Sequence, residues 1–364
     1  MDRSENARET VLKASRAYYA HLGYYEDLLA QRERRAETTK RELDFLEYAF
    51  RAHATHKVRD VLDIACGNGR HVVGLAHRGY QCTGQDYTPE QVQRAQARAK
   101  REGVSVKLLQ GDATRLNYES EFDAVLALYI LFLLPDDDSV LTCLRQIHRA
   151  LRSGGIIVCN IANPFYEGEN WFSLKSINQG HYFKEVRVPG IRFISIDRVQ
   201  DFDPLQGVAW WQETHVIETP DGVHIFRDHE RLRLFTYWEI LHYLQIAGFK
   251  EIKCYPDWKI KPPKKPKAEM LIFVSRKGWL YVELLWVEES LRNKGNGTKL
   301  LKMIENEAVK LGCKHAHLDT FSFEARPFYE KHGYILFATL DNYPEGHNKH
   351  FLRKKLPQKC VCLP

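Results

Sequence analysis

A doubly wound α/β domain followed by a second, smaller α/β unit is the architecture this sequence predicts, and three patterns carry the prediction. Apolar strand patterns alternate with amphipathic helix patterns from residue 58 to residue 161. Between residues 193 and 234 the texture changes to alternating strands split by turn signals at Pro204 to Gly207 and at Pro220-Asp221-Gly222, which marks an antiparallel insert. After Lys277 a strand and helix series starts again. With 364 residues, 44% of them hydrophobic, the chain is long enough for two domains with separate cores.

Each element has its own signal. From Glu5 to about Arg51 the Ala, Leu, Glu and Arg content predicts helix, broken near Gly23 and carrying tyrosines at 18, 19, 24, 25 and 48. Strands are expected at 58–64, 81–85, 104–110, 124–129 and 155–161, with helices after Arg70, from Pro89 and from Asp137. Thr236 is placed to cap a helix that stops at Gly248, and strands at 251–255 and 269–275 complete the sheet. The second unit reads as a strand at 280–287, a helix at 298–311, a strand at 315–320, a helix around Tyr329 and two closing strands.

Composition removes several classes of function. Lys and Arg number 53 against 47 Asp and Glu, a modest net charge of +6 that demands no nucleic-acid partner. The densest basic run, residues 259–267, is interrupted by Pro262, Pro263 and Pro266 and suits a solvated loop at least as well as a phosphate-binding arm. The eight cysteines are scattered through apolar stretches without paired metal-ligand spacing, so free thiols in a reducing compartment are expected and no metal site. No signal core and no run of about 20 apolar residues is seen, and a cytoplasmic protein with no membrane partner is the expectation.

The chemistry-bearing segment is Val61-Leu62-Asp63-Ile64-Ala65-Cys66-Gly67-Asn68-Gly69, a buried strand that ends in a glycine turn and hands over to a helix. Glycines there let the backbone approach a ligand closely. Arg70-His71-Val72 follows where a dinucleotide fold would place a third glycine, which makes a dinucleotide the weaker choice. Asp86 closes the second strand about twenty residues further on, where a carboxylate can accept both ribose hydroxyls. Gly111-Asp112-Ala113 closes the third, where a carboxylate can take an adenine amino group. Three strand ends aimed at one crevice make a nucleoside site.

The run D-I-A-C-G-N-G, then G-Q-D-Y-T-P-E, Q-G-D-A, F-D-A-V-L-A-L-Y and L-R-S-G-G-I-I-V resembles the Rossmann-like class I S-adenosylmethionine-dependent methyltransferases across most of residues 44–277. The resemblance implies that Asp63 and the turn Ala65, Cys66, Gly67, Asn68 and Gly69 hold the methionine end of S-adenosyl-L-methionine. It implies Asp86, with neighbouring Tyr87, for the ribose, Gly111, Asp112 and Ala113 for the adenine, and Leu128 and Tyr129 for the edge near the sulfonium. The insert and the tyrosine-bearing N-terminal helix are similar to those of small-molecule N-methyltransferases acting on amino sugars or glycine. Methyl transfer is an in-line displacement that needs alignment and exclusion of water, and an amine acceptor must arrive neutral. Tyr19, Tyr24, Tyr129, His181, Glu213 and His215 are the residues able to orient it or take its proton. Trp211, Glu213 and His215 share one face of a strand by the period of two, a face suited either to a cationic acceptor or to sheet or dimer packing.

In the second unit, Arg292-Asn293-Lys294-Gly295-Asn296-Gly297 lies between a strand and a helix, where backbone N–H groups can cradle a pyrophosphate. With Ala325-Arg326-Pro327-Phe328-Tyr329-Glu330-Lys331-His332-Gly333-Tyr334, it resembles the acetyl-coenzyme A half of GNAT acetyltransferases over residues 278–356. The resemblance implies Arg292, Asn293, Lys294, Gly295, Asn296 and Gly297 for acetyl-coenzyme A phosphates and Tyr329 as the acid that protonates the departing thiolate. The half of that fold that builds the acceptor pocket has no counterpart upstream, because the first sheet runs to Lys277. The expected plan is an N-terminal helical lid over 1–50, a methyltransferase domain over 51–277 with its insert at about 180–235, and a half-GNAT domain over 278–364. A methyltransferase with a structural or weakly coenzyme A-binding second module is expected, with homodimers through the insert or the half-domain. A bifunctional methyl and acetyl transferase and a non-catalytic nucleotide-binding sensor are the competing functions.

Overall fold

The computed structural model describes residues 33–168, 173–261, 268–277, 279–282, 285–292, 294–310, 313 and 315–357. Tyr18, Tyr19, Tyr24, Tyr25 and Asn293, together with most of the expected lid, lie outside them. The described chain opens with α1 (Glu33–His53), whose Leu43, Phe45, Leu46, Ala49 and Phe50 are buried at the spacing of one helical face. There follow β1 (Asp60–Asp63), α2 (Arg70–His77), β2 (Gln81–Asp86), α3 (Pro89–Glu102), β3 (Lys107–Gln110), β4 (Phe122–Ala127), α4 (Asp137–Ala150) and β5 (Leu151–Ala162). α5 (Leu174–Gln179) leads into the insert, after which come α6 (Tyr237–Ile246), β10 (Phe249–Pro256) and β11 (Met270–Lys277).

These strands form one seven-stranded sheet in the order β10-β11-β5-β4-β1-β2-β3. Pairing is parallel from β5 through β4, β1 and β2 to β3, and antiparallel where β11 meets β5 and β10. β4 is buried at every residue, as a strand covered on both faces must be, which explains its unbroken apolar run. α1 lies over one face in a core with Val61, Val72, Leu126, Val158 and Trp258, while α4 and α6 cover the other. Thr236 caps α6 in a full capping box with Glu239, as its position in the sequence predicts. The order reverses between β1 and β4, so the carboxyl ends of those strands open into the crevice where ligands bind in such sheets.

The insert is a four-stranded antiparallel sheet, β6 (His181–Val188), β7 (Ile191–Asp203), β8 (Val208–Thr219) and β9 (Gly222–Arg233), in sequence order. The second unit contains β12 (Trp279–Val282), α7 (Asn296–Lys310), β13 (His315–Phe321), α8 (Arg326–Lys331), β14 (Ile335–Leu340) and β15 (Lys349–Lys355). Its sheet has the order β12-β13-β15-β14 around a core of Val282, Leu301, Ala316, Leu318, Tyr329, Tyr334 and Leu352. The strand expected over 280–287 is shorter than its apolar pattern suggests. Among the described residues β12 pairs with β13 from Trp279 opposite His315 to Val282 opposite Leu318, and residues 285–288 are in no strand. The two sheets adjoin closely. β11 ends at Lys277, whose buried ammonium donates to the Leu151 carbonyl at 2.8 Å, and β12 begins at Trp279.

Candidate functional site

The glycine turn is fixed by backbone and side-chain hydrogen bonds that stitch neighbouring strand ends together. Cys66 N–H donates to the Gln85 carbonyl at 2.9 Å, and Gly111 N–H to the Asp86 carbonyl at 2.9 Å. Asp86 accepts Gly67 N–H at 2.8 Å and Thr88 N–H at 2.9 Å, one on each carboxylate oxygen. Gly69, at φ +79°, ends the turn in the left-handed region, and a Cβ there would lie 2.9 Å from that of Ala95. Turn, Asp86 and the Gly111 end of β3 are thus brought to one place. Asp112 accepts both the N–H and the hydroxyl of Thr114 at 2.7 Å, and Ala113 is buried beside it.

Beneath the turn is an unusual group. Asp63, at the end of β1, is 1% exposed, and neither of its oxygens has a hydrogen-bond partner of normal geometry. Burial pushes its carboxyl up to about 7, tempered by the Ala65 N–H and reinforced by the charge of Asp86. Asn68 Nδ2, Gln85 Nε2 and Asn160 Nδ2 are likewise buried without partners among the described residues. A set of orphaned polar atoms under a glycine turn fits the amino-acid end of a ligand that carries its own donors and acceptors.

Glu42 on α1, unremarked in the sequence, organises the opposite wall. Its buried carboxylate accepts from Arg70 Nη1, from His71 Nε2 at 2.9 Å and from the Tyr129 hydroxyl at 3.0 Å. Burial raises its pKa, but His71 and Arg70 outweigh that and hold it at about 2. Tyr129 follows β4 at φ +59°, its N–H donating to Asn160 Oδ1 at 2.7 Å and its ring lying 5.8 Å from the Arg70 guanidinium carbon. Leu128 is buried next to it. The signal for Glu42 was its place on the apolar stripe of α1, one residue before Leu43 and three before Phe45.

Trp211, Glu213 and His215 do share a buried face of β8. Asp197 pairs with Glu213, and Ser195 with His215, across β7. Asp228 pairs with Glu213, and Glu230 with Trp211, across β9, and all are buried. Ser195 donates to both oxygens of Asp197 at 2.9 and 3.0 Å, and burial pushes Asp197 up to about 6. Ligating atoms of Asp197, Glu213 and His215 lie within 4.8 Å of one another, close enough for one small cationic group. β9 packs on the short turn Leu131–Leu133 after Tyr129, so this face begins beside the end of β4. His181, by contrast, is exposed at the start of β6, its ring nitrogen 3.0 Å from the Gln179 carbonyl.

In the second unit, Gly295 at φ +81° turns the chain into α7, whose first carbonyl bond is Lys299 N–H to Gly295 at 3.0 Å. Asn296 donates to the Leu291 carbonyl and Arg292 Nε to that of Val287, both at 2.9 Å, while Lys294 stays exposed. Gly297 faces Phe328 of α8, and Tyr329 is buried against Phe328 and Tyr334. Burial raises the Tyr329 pKa, with Glu324 and Asp319 adding to it.

Two family models match the chain: a methyltransferase domain over residues 61–155 and the GNAT acetyltransferase family over residues 205–334. A methyltransferase domain is joined to a GNAT-family segment. The second match starts within the insert, yet of its residues only those from Trp279 onward lie in the four-stranded β12–β15 sheet. An S-adenosylmethionine-dependent methyltransferase from Clostridium acetobutylicum superposes with a TM-score of 0.57 at 17% identity, covering 72% of this chain and 98% of that one. The sugar N-methyltransferase KedS8 from Streptoalloteichus superposes with a TM-score of 0.50 at 20% identity, covering 65% and 88%. These establish the fold of the methyltransferase domain. An acetyltransferase of Agrobacterium fabrum is 39% identical over 85 residues, 23% of this chain and 62% of that protein. The chain spans about half to three-fifths of the length of the first curated relatives it matches. Among the described residues no helix is long and apolar enough to cross a membrane.

Proposed function

We propose that the methyltransferase domain moves a methyl group from S-adenosyl-L-methionine to a small-molecule amine, and that the C-terminal module is structural or binds coenzyme A weakly. The observation that carries this reading is Asp63, a buried carboxyl without a hydrogen-bond partner of normal geometry beneath a backbone turn tied to Asp86. Asp63 takes the α-amino group of the cofactor, and Asn68 and the turn residues flank its carboxylate. A carboxylate oxygen accepts more than one hydrogen bond, so the ribose hydroxyls share Asp86 with Gly67 and Thr88. Asp112 and Ala113 edge the adenine. The bound sulfonium supplies an electrophilic methyl that loses its charge as it transfers.

The protein's remaining work is alignment and exclusion of water. Tyr129, anchored by Glu42, stands at the sulfonium edge, and the buried face of the insert supplies negative charge for the acceptor. KedS8 is by its name a sugar N-methyltransferase and CalS10 of Micromonospora echinaspora an amino pentose methyltransferase, which supports an amine among small molecules. Asp197, with its raised pKa, is a better proton acceptor than an ordinary carboxylate, and an amine must lose a proton before it attacks. Calorimetric titration with S-adenosyl-L-methionine, followed by turnover on a panel of amines and hydroxylated metabolites, tests the reading. Cofactor binding that vanishes in Asp86→Ala and turnover that falls with Glu213→Gln are expected. Affinity in Asp86→Ala within about twofold of the parent, or under ~0.5 kcal/mol, defeats the site assignment. Tight binding with no turnover on any acceptor favours a sensor.

For the half-domain, the sheet formed by the described residues is β12-β13-β15-β14, with no further strand beside β12 to wall an acceptor against acetyl-coenzyme A. Little acetyl transfer to free amines is expected. Robust turnover that drops with Tyr329→Phe would establish the bifunctional alternative.

A further inference from the structure

The edge strand β14 presents apolar side chains to solvent along nearly its whole length. Ile335 is 66% exposed, Phe337 53% and Leu340 47%, and Ala338 and Thr339 are exposed as well. Its other edge pairs with β15, and no strand among the described residues covers the outer one. Proteins protect such edges with lysines, prolines or inward-pointing charges, and the sequence Ile335-Leu336-Phe337-Ala338-Thr339-Leu340 contains none of these. A bulge between Leu336 and Ala338 is the single irregularity.

We infer that β14 pairs antiparallel with β14 of a second copy of this chain, joining two four-stranded sheets into one across a two-fold axis. The flanks of the strand choose this occupant. Lys331 precedes β14, while Asp341 and Glu345 follow it; all three are exposed, and none has an ion-pair partner among the described residues. Antiparallel self-pairing brings the cationic start of each strand to the anionic end of the other, whereas parallel pairing would set like charges together. The apolar ends match too. Leu340 pairs with Lys349, which pairs in turn with Phe321, and exposed Phe323 and Tyr343 lie 5.2 and 6.5 Å from the Phe321 ring. In the dimer this aromatic end faces Ile335 of the partner.

Sedimentation velocity of the full chain over about a hundredfold range of concentration should show a dimer that dissociates on dilution. Ile335→Lys combined with Leu340→Lys alters only exposed side chains and should leave a folded monomer. Ala338→Cys, near the expected axis, should give a disulfide-linked dimer on mild oxidation, because paired strands bring Cα atoms within bridging distance. A chain that is monomeric throughout, a dimer that survives the two lysines, or a dimer that Ala338→Cys does not cross-link would each overturn the proposal. Should the lysine variant lose its fold, the cysteine variant decides alone.

Discussion

Glu42 and Asp63 are both buried carboxyls near the glycine turn, and the protein treats them in opposite ways. Glu42 is surrounded by Arg70, His71 and Tyr129 and is held far below the ordinary carboxylate range. Asp63 has no such company and is pushed up to about 7. A carboxylate neutralised within the fold serves the fold. One left without partners at a strand end costs stability, and that cost is understandable where a ligand brings the missing charge.

Breaking the first half of the comparison should have the largest effect. Glu42→Ala removes the buried carboxylate that accepts from Arg70, His71 and Tyr129, and should lower unfolding stability by about 3–5 kcal/mol in denaturant titration. Asp63→Asn should do the reverse of a structural mutation: stability at pH 8 unchanged or higher, cofactor affinity lower by about 2–3 kcal/mol in calorimetry. If both variants lose stability alike, the contrast between them is not functional.

Acidity sharpens the same contrast. Asp63 must be ionised to pair with an ammonium group, so cofactor affinity should be constant above about pH 7 and fall by up to about tenfold per pH unit below it, in the parent but not in Asp63→Asn. Its contribution to the unliganded fold has the opposite sense. The folded state keeps a proton that the unfolded chain gives up between about pH 4 and 7, so burial of Asp63 costs stability as pH rises through that window and nothing below it. For Glu42 the folded value is depressed, so its stabilisation is present above about pH 4.5 and is lost as pH falls toward 2. Thr236→Ala gives the scale of an ordinary local interaction, about 1 kcal/mol from the lost capping box, with no effect on cofactor affinity.

Much of this was legible from residue order alone, for a physical reason. The glycine turn, Asp86 and the Thr236 cap depend on neighbours within a few residues, or on a strand, helix and strand series that recurs at a regular interval. Glu42 depends on a helix about thirty residues upstream docking against the turn, and Asn160 on the strand beside β4; neither contact has a local signature. In the insert, one strand showed Trp211, Glu213 and His215 on a common face, but Asp197, Asp228 and Glu230 join them only through the registers of β7 and β9. Residues 285–287 lie in no strand although their pattern predicts one, because an apolar pattern reports burial and not the length of the partner strand.

Lys277 and Trp279 belong to different sheets with a single residue between them, and the last side chain of the first sheet is tied to Leu151 inside it. Between the described residues of the two sheets a cloning boundary therefore has a single position in which to fall. A cut on the amino side of Lys277 would strip a strand from the methyltransferase sheet, and one beyond Trp279 would leave β13 without its parallel neighbour. Fragments made on either side would therefore report on damaged sheets, and transplanting one module onto another protein calls for an added linker.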